Sequence, residues 1–191
     1  MSENDRENRD GLASRRDVLK ASVLAGVTLL TLGIQGKALG SELSPPPSNR
    51  PESASAQFLR SMNCSQAILE TYAPSMGMSR ETARRVAAAF AGGMGIGTEC
   101  GAVTGAFMVI GLKYGKIEDK DAGADGKTFE KVAEFTKEFK AEHKHLECSD
   151  LLGVDMSTPE GIKEAAGKGL FTSVCPKLVH SAAEILDRIL V

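Results

Sequence analysis

The chain has 191 residues, 42% hydrophobic and 25% charged, the balance of a folded domain rather than of a disordered chain. Its 23 basic and 25 acidic side chains leave a net charge of −2, with no basic excess to neutralise phosphates, which argues against nucleic acid as a partner. Trp is absent and aromatics make up 5%, so stacking platforms for bases or sugars are also missing; four cysteines and 20 glycines are the unusual components.

Residues 1–40 read as an address label. Ser14-Arg15-Arg16-Asp17-Val18-Leu19-Lys20 precedes an apolar run from Ala21 to Ile34, too short for a permanent span of about 20 apolar residues. A charged start, a short apolar stretch and then small residues (Ala38, Gly40) describe a signal peptide cut near Ser41. The paired arginines resemble the twin-arginine export signal, with Val18 standing where Phe is usual. That resemblance implies transport in the folded state to the periplasm or another extracytoplasmic space, and no membrane span once the signal is removed. Residues 41–55, with Pro45-Pro46-Pro47, read as a Pro/Ser-rich linker.

Residues 56–191 are expected to form one all-α domain, a bundle of about five to six helices. The first covers 56–73, with Leu59, Met62, Leu69 and Ala73 at helical spacing and Cys64 inside it. Pro74 and Gly77 end it. Ser79 offers a cap for a second helix running to Ala91. Four glycines then fall within Gly92–Gly97. A very apolar third segment, Cys100 to Tyr114, is long enough to favour a core helix over a strand. Its small residues could pack on a second subunit, which leaves a homo-oligomer open. A fourth helix is expected to bury Phe129, Val132, Phe135, Thr136, Phe139 and Leu146. Thr158-Pro159 starts a further helix, and Cys175-Pro176 opens the last, with Leu178, Val179, Ala182, Ile185, Leu186 and Ile189 facing inward.

Cys64, Cys100, Cys148 and Cys175 lie far apart in sequence, so the close Cys-x-x-Cys pairs of zinc ribbons, thioredoxin-like proteins and bacterial ferredoxins are absent. Any shared site must be assembled by folding. Cys100, Cys148 and Cys175 are each expected near a helix N-terminus, where partial positive charge favours thiolate. Gly95 and Gly97 would let backbone N–H groups approach sulfur, and Gly101 and Gly105 would admit a neighbouring helix or cofactor. Sequence physics leaves two disulfides and a metal site equally open.

Cys100-Gly101-Ala102-Val103-Thr104-Gly105 resembles the Cys-Gly-Ala-x-x-Gly signature of the redox-active family labelled C_GCAxxG_C_C. Cys64 before the signature, and Cys148 and Cys175 after it, follow the family's cysteine order across 56–191. A similar domain occurs in split-Soret cytochromes, whose haem-binding part has no counterpart here. The resemblance implies a four-thiolate site with Cys64, Cys100, Cys148 and Cys175 as metal ligands. It implies an iron–sulfur cluster, of the [2Fe–2S] type, with zinc or no cofactor as the alternatives. The expected role is electron transfer to a redox partner protein rather than turnover. Thiol–disulfide exchange, or a zinc- or disulfide-stabilised domain without catalysis, are the rival readings. His143, His145, His180 and Glu99 are expected near solvent, and Met62, Met76, Met78, Met94, Met108 and Met156 in packing.

Overall fold

The computed structural model describes residues 49–191; the expected signal peptide and linker residues 41–48 lie outside that range. The described residues are all-α, with one isolated backbone bridge, Glu99 to Glu147. Helix α1 runs Arg50–Ser61, so the last residues of the expected linker are helical. Pro51 is tolerated because it stands in the first turn, where its missing N–H has no partner to lose. Ala54, Gln57 and Phe58 then bury one face, mainly against the final helix.

The single helix expected over 56–73 is two. Met62 takes a left-handed φ of 52° and returns its N–H to Phe58 O at 2.6 Å, ending α1. Asn63 then caps α2, Cys64–Tyr72, accepting from the Gln66 N–H at 2.9 Å. Cys64 therefore opens a helix instead of lying within one. After a 3₁₀ turn at Ala73–Met76 and Gly77, Ser79 caps α3, Arg80–Ala87, through Thr82 N. A short 3₁₀ turn, Ala88–Phe90, leads into the glycine loop.

Helix α4, Gly101–Tyr114, is the core helix. Its Gly101 and Gly105 face α2: a Cβ on Gly105 would stand 3.0 Å from both Ile68 Cβ and Ser65 O. Two glycines one turn apart let the α2 and α4 backbones come together, which no larger residue would permit. Helix α5, Ala122–His143, stacks Phe135 on Phe139 at 5.7 Å between ring centres, with Phe107 edge-on to Phe135 at 5.8 Å. Phe129 departs from expectation. It is 70% exposed, because the first turns of α5 extend beyond the core, and Leu146 lies past the helix end.

Short helices α6 (Cys148–Leu152), α7 (Pro159–Gly167) and α8 (Leu170–Ser173) follow, then α9 (Cys175–Ile189). All six residues expected on the inner face of α9 are buried. Two apolar clusters result. The main one joins α1, α2, α4, α5 and α9; a smaller one gathers Cys148, Leu152, Val154, Met156 and Ala165. Cys175 packs against both.

A polar tie joins the first three helices. Glu70 is fully buried and accepts from Gln57 Nε2 at 3.2 Å and Arg84 Nε at 2.9 Å. Glu70→Ala would leave the buried Gln57 amide without its acceptor, an expected loss of about 1–3 kcal/mol in urea unfolding. Glu70→Gln, which keeps an acceptor, should lose less.

Candidate four-cysteine site

All four cysteines line one cavity of about 320 Å³. Each comes from a helix start: Cys64 opens α2, Cys100 caps α4, Cys148 opens α6 and Cys175 opens α9. Three such positions were expected; the break at Met62–Asn63 supplies the fourth. All four are free thiols, with Cys64, Cys100 and Cys148 only 8%, 4% and 5% exposed and Cys175 partly exposed. The remaining lining is apolar and includes Phe58, Leu152, Met156, Phe171 and Leu178.

Local chemistry explains the convergence. The segment before Cys100 and the segment before Cys148 run side by side: Cys100 N–H donates to Leu146 O at 2.8 Å, and Cys148 N–H donates to Thr98 O at 2.6 Å. This clamp sets Cys148 beside Cys100, although 47 residues intervene in the chain. On the other side Gly101 packs directly on Cys64 Sγ and lies near Ser65 N and Ala91 Cα. Cys64 and Cys100 are thus neighbours because position 101 has no side chain. Cys148 and Cys64 are the side chains that act most strongly on the ionisation of Cys100.

The glycine loop contributes differently from expectation. Gly92, Gly93, Met94 and Gly95 all have left-handed φ, and a Cβ on Gly93 would collide with the Thr98 backbone. The loop closes by Thr98 N to Gly93 O at 3.2 Å and presents Gly92 and Gly95 to the cavity. Gly97 packs against Ser149 and Ser157 instead, and Gly105 is a helix-packing residue. Gly95 alone of the four expected glycines joins the lining, while Gly101 abuts Cys64.

The expected thiolate preference is reversed at Cys100 and Cys175. The contact with Cys100, then burial, holds Cys64 well above the usual thiol range. Cys100 is pushed up to about 12, chiefly by its contact with Cys148, and Cys175 to about 12 by burial and then by the neighbouring charge of Cys64. Backbone N–H groups pull the other way but are outweighed. Loss of water and the crowding of like groups thus overcome the helix ends.

The histidines stay outside the cavity. His143 stacks on Phe139 and lies 2.8 Å from Ser181 Oγ, so it is part-buried rather than solvent-facing. His145 pairs with Asp150, and His180 stands between Glu52 and Glu184. Glu99 forms the bridge to Glu147. Two methionines, Met62 and Met156, line the cavity, a role beyond the packing expected of them. Among the described residues, no three His, Cys, Asp or Glu side chains are grouped for one metal ion.

A family model described as "Putative redox-active protein (C_GCAxxG_C_C)" matches residues 62–189, which contain all four cysteines and the signature at Cys100. The chain belongs to the C_GCAxxG_C_C family. No curated protein and no solved structure matches it. For this C_GCAxxG_C_C chain the geometry attaches a reason to each part of the label: Cys100 and Gly101 of the signature are a sulfur and the space that brings a second sulfur to it. Among the described residues, no helix is long and apolar enough to cross a membrane.

Proposed function

We propose that this redox-active protein transfers electrons through an iron–sulfur centre of the [2Fe–2S] type, held by Cys64, Cys100, Cys148 and Cys175 after export by the twin-arginine route. The observation that carries the reading is that thiols from four separate helix starts line one apolar cavity. The donor set suits it, since four cysteines are the usual complement for such a centre. Backbone N–H groups near Cys64 and Cys100 favour their ionised forms and would raise the reduction potential of a bound centre by stabilising negative charge on sulfur. When bound, the centre supplies one-electron chemistry. The chain's own part is to hold the sulfurs, exclude water with Phe58, Leu152 and Leu178, and release the thiol protons on loading.

Thiol–disulfide exchange is the second reading, favoured by Cys100 lining the same cavity as Cys64 and Cys148. Anaerobic purification with iron, zinc and acid-labile sulfide analysis separates the two. Stoichiometric iron and sulfide with visible absorption are expected. Metal-free protein whose thiols cycle reversibly with glutathione would sink the iron–sulfur reading. For export, replacing Arg15 and Arg16 by Lys should leave the protein in the cytoplasmic fraction with its uncut N-terminus; unchanged export would refute the twin-arginine assignment.

A further inference from the structure

The four cysteines are not equivalent, and their differences are geometric. Cys64, Cys100 and Cys148 are 8% exposed or less and form a buried row in the cavity wall, Cys100 set near Cys64 by Gly101 and near Cys148 by the backbone clamp. Each is pinned from behind. Cys64 is backed by Gly101 and follows the Asn63 cap, while Cys100 and Cys148 are cross-tied by their backbone bonds to Leu146 and Thr98. Cys175 has neither restraint. It is partly exposed, stands where the two apolar clusters meet, and faces the row from the start of α9.

The approach to Cys175 has a defined chemistry. Met62 and Ile162 line the same cavity yet are 49% and 43% exposed, so they form its rim towards solvent. Phe171 lines it as well, and no charged side chain does. A small uncharged molecule can follow such a path, whereas a charged one would lose its hydration without a partner.

We propose that Cys175 is the exchangeable ligand of the centre, replaced by a small uncharged thiol while Cys64, Cys100 and Cys148 retain their hold. This rests on the iron–sulfur reading above. The exchange moves no electrons. The incoming thiol gives up its proton as its sulfur–iron bond forms, the Cys175 sulfur–iron bond breaks, and the proton ends on Cys175 Sγ. The site would then admit a thiol-bearing or similarly soft, neutral ligand at one corner, instead of being closed on all sides.

The test uses the full chain, loaded anaerobically, with each cysteine replaced in turn by serine. Cys175→Ser is expected to keep iron and sulfide within about twofold of the unaltered protein, while Cys64→Ser, Cys100→Ser and Cys148→Ser fall about tenfold or more. Added 2-mercaptoethanol should return the visible spectrum of loaded Cys175→Ser towards that of the unaltered protein, and charged glutathione should not. Iodoacetamide applied to the loaded unaltered protein should label Cys175 first, as mapped by mass spectrometry; this readout stands even if the serine variant folds poorly. Loss of iron from Cys175→Ser as severe as from the others, no spectral response to 2-mercaptoethanol, or first labelling elsewhere would overturn the proposal with the iron–sulfur reading intact. An unaltered protein without iron and sulfide would overturn both.

Discussion

On the iron–sulfur reading proposed above, Gly101→Ala is expected to separate Cys64 from Cys100 and to lower the iron and sulfide bound per chain about tenfold. The added Cβ would fall inside the contact distance of Cys64 Sγ, 3.0 Å from Ser65 N and 3.1 Å from Ala91 Cα. None of these is the far end of a flexible chain. Two are backbone, and the third is the sulfur the site needs. Either α2 moves away from α4, or Cys64 turns out of the cavity. Overpacking of this kind costs about 1–3 kcal/mol, so the protein should remain folded by circular dichroism while its site fails. Gly105→Ala is the control: it meets Ile68 and Ser65 one turn further on, loses similar stability and should perturb the site less. Equal metal content in Gly101→Ala and the unaltered protein would show that the sulfur pair does not depend on this close approach.

The second large effect concerns the frame. Tyr72 is fully buried at the end of α2, with its hydroxyl 2.8 Å from Ala183 O and 2.9 Å from Asp187 Oδ1 on α9. Arg50 of α1 lies over its ring at 5.1 Å and pairs with Asp187 at 3.1 Å. Burial, and then the Asp187 charge, hold the phenol far above its usual range, so it stays a hydrogen-bond donor at any ordinary pH. Tyr72→Ala removes a large ring and this donor together, an expected loss of about 3–5 kcal/mol in denaturant unfolding. Tyr72→Phe retains the ring and should lose about 1–2 kcal/mol. Helices α2 and α9 carry Cys64 and Cys175, so the alanine variant should also bind metal more weakly at temperatures where it is still folded. A Tyr72→Ala protein as stable as its parent would remove the anchor assigned here to the two helices.

Much of the frame was legible because helical burial leaves a periodic trace. The inner face of α9 and the caps Ser79 and Thr158 are local features, and each is found where it was expected. Reading failed where tertiary packing outweighed local composition. Arg50–Ser55 looked like a linker because it is rich in Ser and Pro, yet Ala54 and its neighbours are held against α9. Met62 in a left-handed conformation has no sequence signature, and that one residue moves Cys64 from a helix interior to a helix start. Phe129 fitted the periodic stripe of α5 but lies beyond the body that would have covered it.

The cysteines divide along the same line. The sequence by itself determined the number of thiols, their order around the Cys-Gly-Ala-x-x-Gly signature, the all-α class and family membership, because these depend on residue identity and short-range pattern. Only the tertiary structure decided that the four thiols share one cavity, that Gly101 abuts Cys64, and that Cys175 is more exposed than the other three. It also reversed the expected thiolate preference at Cys100 and Cys175. The reason is the same in each case. A helix start acts on its own residue through a few local N–H groups, whereas burial and sulfur–sulfur contact depend on which distant segments the core and the Thr98–Leu146 clamp bring together.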